Sequence, residues 1–350
     1  MTKLSILDQS PIISGHQPRD AIAATVELAQ LADELGYTRY WLAEHHGLHA
    51  LADPCPEILL ARLGSVTKRI RIGTGGILLP YYSPFKVAEQ FRMLEALFPG
   101  RLDLGIGRAP GGDMRTAQAV MGSTTGGSYN AAEYFPQQVM ELIGLLDGVM
   151  PAEHPHHDVV LQPQCETAPQ IWVLGSSDYG GAMAAHLGLR FAFAHFINAY
   201  SGAPVAQAYK QDFKPAPHAS ETHGAVTPTP YSAVAVFAIA ADTQAQADEL
   251  AMSVDVRRIQ MAYGINAPIA TVEEAKARAQ HYSPRDLAII ERERPRAVIG
   301  TPDFVAEHIA KVQAEFDADE VVVLGVAASY KARIRSYELL ARAFALKITD

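Results

Sequence analysis

Short apolar runs alternate with stretches of helical spacing along nearly the whole chain. "LSILD" (4–8) reads as a strand. After Pro18, Ile22, Val26 and Ala29 recur at helical spacing beside Leu28, Leu31 and Leu35, and Gly36 ends that helix. "YWLAEH" (40–45), "IRIGTGGILL" (70–79) and "RLDLGIG" (101–107) read as the next strands. Helices follow from Pro56 through "EILLARLGSVT" and over "PFKVAEQFRMLEALF" (84–98), the second stopping at Pro99-Gly100. A Gly-rich loop is expected from 109 to about 129, then a helix over "EYFPQQVMELIGLL" (133–146). Residues 151–169 read as loop with a short hairpin. "IWVLG" (171–175), "RFAFAHF" (190–196), "SAVAVFAIAA" (232–241) and "EVVVLG" (320–325) complete eight strands, with helical patterns between and after them. Between 264 and 296 the pattern loosens into an insertion with one polar helix near "TVEEAKARAQ".

Uninterrupted Val/Ile/Leu runs mark strands buried on both faces, as in a parallel sheet. Count and order predict one α/β domain over residues 1–350, a closed eight-stranded (β/α)8 TIM barrel with long insertions after strands four and seven. A doubly wound open sheet is the alternative. It would normally carry GxGxxG after the first strand, and "ILDQSPI" has none.

Composition narrows the function classes. Hydrophobic residues are 49% and charged residues 19%, enough for a large core. The net charge of −9, with no clustered Lys/Arg stripe, argues against nucleic acid. Cys55 and Cys165 form no CxxC pair or disulfide framework, which suits a reducing compartment. The N-terminus lacks a secretory apolar core and no run is long enough to span a membrane, so a cytoplasmic protein is expected.

Barrel active sites lie at the C-terminal strand ends. Strand two ends in Glu44, His45 and His46, with His49 close behind; strand three in "GTGG" (73–76); strand four in "GIGRAPGG"; strand five in "GSSDYGG". A lone histidine usually caps a turn or faces solvent. Glycines inside a strand mark a bulge or a close backbone approach. Arg108 offers a fork to an anion. Small hydroxyl residues before a helix form an anion seat. Each feature alone is a common structural device; four at one barrel mouth favour a large phosphorylated cofactor. Zinc is the rival for the histidines. Adjacent His45 and His46 point to opposite sides of an extended strand, and "HPHH" (154–157) suits an exposed loop. No HExxH or paired CxxC occurs, so no metal is expected, and no GxSxG elbow supports a serine hydrolase.

The stretches "GYTRYWLAEHH", "RIRIGTGGILLPYYSPFKVAEQFRMLEALFPGRLDLGIGRAPGGD", "WVLGSS" and "VIGTPDFVAEHI" resemble, in that order, the luciferase-like flavin monooxygenases. The likeness covers strands one to five closely and the last third more loosely. It implies a TIM-type barrel that takes reduced FMN as co-substrate, usually from a separate flavin reductase. With dioxygen, through a flavin peroxide, such enzymes insert one oxygen atom into a small organic molecule. His45 matches the family's catalytic histidine, acting on the peroxide or as a base, and Glu44 its neighbouring acid. Gly75 and Gly76 match a strand-three bulge, often cis, against the flavin ring. Arg108 and Ser177 match the phosphate binders, with Ser176 beside them and Gly180 adding a backbone N–H. Gly107 stands where luciferase has a reactive cysteine, so no thiol role carries over. A homodimer through helices near strands two and three is the family habit. Two other functions remain open: a deazaflavin-dependent hydride-transfer dehydrogenase on the same barrel, and a non-catalytic flavin-binding subunit.

Overall fold

The computed structural model describes residues 2–108, 113–122, 133–219 and 224–347. The elements run β1 (Lys3–Asp8), α1 (Pro18–Leu35), β2 (Arg39–Leu42), α2 (Pro56–Val66), β3 (Arg71–Leu78), α3 (Pro84–Leu97), β4 (Leu102–Gly107), α4 (Met114–Met121) and α5 (Phe135–Asp147). They continue as β5 (Gln170–Gly175), α6 (Asp178–Leu187), β6 (Arg190–Ala194), α7 (Gly202–Gln211), β7 (Ser232–Ala240), α8 (Gln244–Ala262), α9 (Val272–Ala279) and α10 (Pro284–Glu293). β8 (Ala297–Gly300), α11 (Pro302–Phe316), β9 (Glu320–Leu324) and α12 (Tyr330–Ala343) complete the described chain.

β1 pairs in parallel with β2 on one side and β9 on the other. The ladder passes through β3, β4, β5 and β6 to β7, and β7 pairs with β9. That closes an eight-stranded parallel barrel ringed by helices, as the alternating pattern predicts. The short β8 pairs only with residues 237–240 of β7, outside the closed ring.

Period-two alternation sorts each strand between two cores. Leu7, Trp41, Trp172, Ala192, Ala235 and Val322 fill the barrel, and the Trp41 and Trp172 rings meet edge to face at 5.0 Å. Their neighbours Ile6, Tyr40, Leu42, Val321 and Val323 pack outward against the helices. The lower end of the barrel holds a buried ionic cluster. Arg39 donates to Glu320 at 2.7 Å and to Asp103 at 2.8 Å, and Arg71 and the Trp41 indole also donate to Asp103. Burial alone would raise the Asp103 pKa; Arg39 and Arg71 overcome that and hold it below the usual carboxylate range.

Three local expectations change. Within the supposed loop after β4, residues 114–121 are helical, because Asp113 caps them by accepting from the N–H groups of Arg115 and Thr116; the rest of that loop lies largely outside the described residues. The 151–169 segment makes turns and no strand, so the expected hairpin is absent. The 264–296 insertion carries two helices where one polar helix is expected, since Ser283 and Asp286 build a capping box that starts α10, and the unexpected short β8 follows it directly. Cys55 and Cys165 are both free. Among the described residues no helix is long and apolar enough to cross a membrane.

Candidate active site

The strand-end residues singled out by sequence fall into two neighbouring groups at the upper rim. β2 stops at Leu42, so Ala43 to His46 leave the ladder while still anchored to it. The Ala43 N–H donates to the Asp8 carbonyl at 2.9 Å and the Glu44 N–H to the Gly76 carbonyl at 3.3 Å. This lifts His45 into a cavity of about 590 Å³ at the barrel mouth. Gln9 after β1, Phe196 and Ile197 after β6, Phe237 on β7 and Val326 after β9 wall the same space. Convergence of four strand ends and one strand on a single cavity is the geometry expected of a barrel active site.

His45 is half-buried, and burial pushes its pKa below the ordinary imidazole value; the positive charge of Arg257 and the neighbouring His46 add to that shift, against a partial offset from the Ala43 carbonyl. Its Nδ1 lies 3.4 Å from that carbonyl. A carbonyl only accepts, so Nδ1 carries the hydrogen and Nε2 keeps a free lone pair. The site therefore holds a neutral imidazole able to take a proton.

Glu44 plays a different part. Its carboxylate is buried and accepts from the Leu78 N–H at 2.8 Å, the Tyr82 hydroxyl at 2.6 Å and His46 Nε2 at 2.5 Å. None of these partners is His45. Glu44 locks the end of β2 onto the end of β3 and so fixes the backbone that carries His45.

Gly75 and Gly76 form the bulge expected in strand three: the β3–β4 register shifts between Gly75 and Ile77, and the Gly75–Gly76 peptide is cis. A Cβ on Gly76 would lie 2.6 Å from the Gly105 carbonyl oxygen and 2.7 Å from Leu174. Only glycine permits that approach between neighbouring strands.

The second group sits at the ends of β4 and β5. Ser177 occupies the N-cap position of α6, and its hydroxyl accepts no N–H from the first turn. Asp178 takes the Tyr179 N–H at 2.8 Å. Arg108 is exposed and lies 4.2 Å over the Tyr179 ring in that first turn, with no ion pair among the described residues. An exposed guanidinium beside the first turn of a helix whose N-cap hydroxyl is unused offers donors of the kind a phosphate takes, although the Asp178 carboxylate already accepts one of that turn's N–H groups. Gly180 instead packs inward, where a Cβ would be 3.5 Å from Phe191. Asn198, next to the cavity residue Ile197, donates to the Ser176 carbonyl at 3.0 Å and ties this corner to the cavity wall.

Sequence reasoning missed the far wall. Arg257, Arg258, Met261 and Ile269, from α8 and the segment after it, complete the cavity. The only sequence signal was "DVRR", two arginines directly after a run of buried positions in α8. Elsewhere, Glu141, His154 and His156 each bring one ligand atom within 4.8 Å of the others on the surface. Glu141 sits on α5 and the two histidines on the turns expected for "HPHH", and none of the three lines the cavity.

Residues 2–318 match the luciferase-like monooxygenase family model. YceB of Bacillus subtilis is 40% identical over 98% of this chain and 100% of its own. A luciferase-like monooxygenase of Escherichia coli K12 is 34% identical over 96% of this chain and 95% of its own. The crystal structure of apo-MsnO8 covers 99% of both chains at 35% identity, with a TM-score of 0.87.

Proposed function

This chain belongs to the luciferase-like monooxygenase family, and we propose that it uses reduced FMN and dioxygen to oxygenate a small organic substrate. A separate flavin reductase supplies the FMN. The observation that carries this reading is the neutral His45 imidazole, its Nε2 free, inside a cavity with apolar and arginine walls, beside a glycine bulge and an anion corner. When bound, the flavin supplies the oxygen chemistry.

The protein's own groups bind, enclose and move one proton. Gly75 and Gly76 leave room for a flat ring at the strand-three bulge. Arg108, Ser177 and the α6 N-terminus hold the phosphate, with Ser176 shaping the corner and Gly180 seating the helix. The apolar wall keeps water out. His45 Nε2 accepts or returns a proton at the reacting edge, and Glu44 positions it through the backbone. The working molecule is a cytoplasmic homodimer that pairs through the α2–α3 face.

Anaerobic titration with reduced FMN tests the assignment, with a reduced deazaflavin as control, followed by rapid mixing with dioxygen. Tight binding of FMN alone and delayed return of oxidised flavin are expected. Binding of the deazaflavin alone would move the chain to hydride transfer. Replacing Arg108 with Ala is expected to weaken FMN by about tenfold or more while sparing riboflavin, since a charge-assisted contact to phosphate is lost. Equal weakening of both flavins would remove Arg108 from the phosphate site.

A further inference from the structure

Four arginines reach the wall of the active-site cavity, and three are occupied. Arg292 pairs with the Glu293 carboxylate at 2.9 Å and Arg296 with it at 3.0 Å, while Arg258 donates to the Glu293 carbonyl. Arg257 stands apart. It lines the cavity and makes no hydrogen bond or ion pair among the described residues. Its burial pushes its pKa below the usual guanidinium value, with no acid opposing the shift. It and His45 line the same cavity.

An unpaired charge in an apolar enclosure is costly unless a ligand completes it. Most of the remaining wall is apolar, from Leu48, Leu51, Phe196, Phe237, Met261 and Val326. A planar fork facing two oxygens is the geometry of a carboxylate, and one free cation balances one negative charge.

We infer that Arg257 is a substrate-binding residue that takes the carboxylate of an amphipathic organic acid, whose apolar body lies along this wall with its reacting atom toward His45. This rests on the proposed function, because the same cavity must admit the flavin ring.

Calorimetric titration of the full chain with bound reduced FMN, under anaerobic conditions, tests it. The probes are hexanoate, octanoate, decanoate and phenylacetate, each against its primary amide. At least one acid is expected to bind about tenfold or more tighter than its amide. Arg257→Gln is expected to abolish that preference, and Arg257→Lys to restore part of it, with reduced FMN affinity unchanged in both. Equal binding of acids and amides, no binding of any acid, or an unchanged preference in Arg257→Gln would overturn the inference. So would parallel loss of FMN and acid in a variant with a wild-type melting curve, which would assign Arg257 to the flavin. If the wild-type chain fails to bind FMN, the proposed function fails. The acid and amide titrations on the flavin-free chain then still decide the role of Arg257.

Discussion

At the scale of single residues, the imidazole of His45 sets the chemistry, and Glu44 fixes the backbone that carries it. His45→Ala is expected to lower turnover by about a hundredfold or more, the usual range for a lost general acid or base, while reduced FMN binds within about twofold of wild type. The acid limb of the rate profile lies below the ordinary imidazole range, because burial lowers this pKa, and it disappears in the variant. Comparable loss of FMN binding would make His45 structural. Asp53, in the loop after β2, gives a second test. Burial pushes its pKa up to about 7, with Asp8, Glu57 and Glu44 adding to the shift, and one carboxylate oxygen has no partner. An unfolded Asp ionises near pH 4, so folding must keep this group protonated as pH rises. Stability contributed by the neutral acid is present below about pH 4 and lost progressively toward pH 7. Asp53→Asn removes that loss, so its melting temperature minus that of wild type should grow from pH 4 to 7 and then level off. A flat difference would mean Asp53 is ionised in the fold. His45 was legible because three titratable groups interrupting an apolar run have few structural uses. Arg257 was not, because an arginine on a helix is ordinarily solvated and only the closed barrel shows which face it meets.

At the scale of elements, the strands were readable from their apolar runs, and the charged residues at their starts were not. Arg39, Asp103 and Glu320 look like solvent-facing strand ends in "RYWL", "RLDLG" and "EVVVL", yet they meet inside the barrel. Pairing across strands remote in sequence has no local signature. The four-residue β8 was hidden for a related reason: "AVIG" follows a run of charges and completes the edge of a strand already in the ring. Removing one member of a buried ionic cluster strands the others without their counter-charge. Arg39→Met is therefore expected to cost about 3–5 kcal/mol of unfolding free energy. Urea denaturation should show a lower midpoint with an unchanged slope. A loss below about 1 kcal/mol would mean that water or Arg71 compensates.

At the scale of the whole molecule, α2 and α3 present apolar side chains on the outside of the helical layer. Val87, Phe91 and Leu94 of α3 are buried against the barrel, which accounts for the apolar spacing that was legible in "PFKVAEQFRMLEALF". That spacing does not account for Met93 and Leu97 on the outer side, which are 53% and 54% exposed, or for Ile58 of α2 at 70%. Together with Gln162 and Pro163 they line a shallow depression of about 650 Å³ between the two helices. Glu57, which also lines it, has its pKa raised by burial, with the nearby Glu44 charge adding to the shift. A second copy covering this face would bury the three apolar side chains at about 25 cal/mol per Å² and would place the rear of each β2–β3 rim against its mate. Light scattering behind size exclusion is expected to give twice the 37.8 kDa chain mass. Met93→Glu puts a charge into that seam and should yield a monomer with an unchanged melting curve at high dilution, since the side chain is solvated when the chains are apart. A wild-type monomer, or a dimer untouched by Met93→Glu, would place any contact elsewhere. Because Glu44 holds the β2 end through Leu78 and Tyr82 just ahead of α3, monomerisation should also loosen His45 and lower turnover more than it lowers FMN affinity.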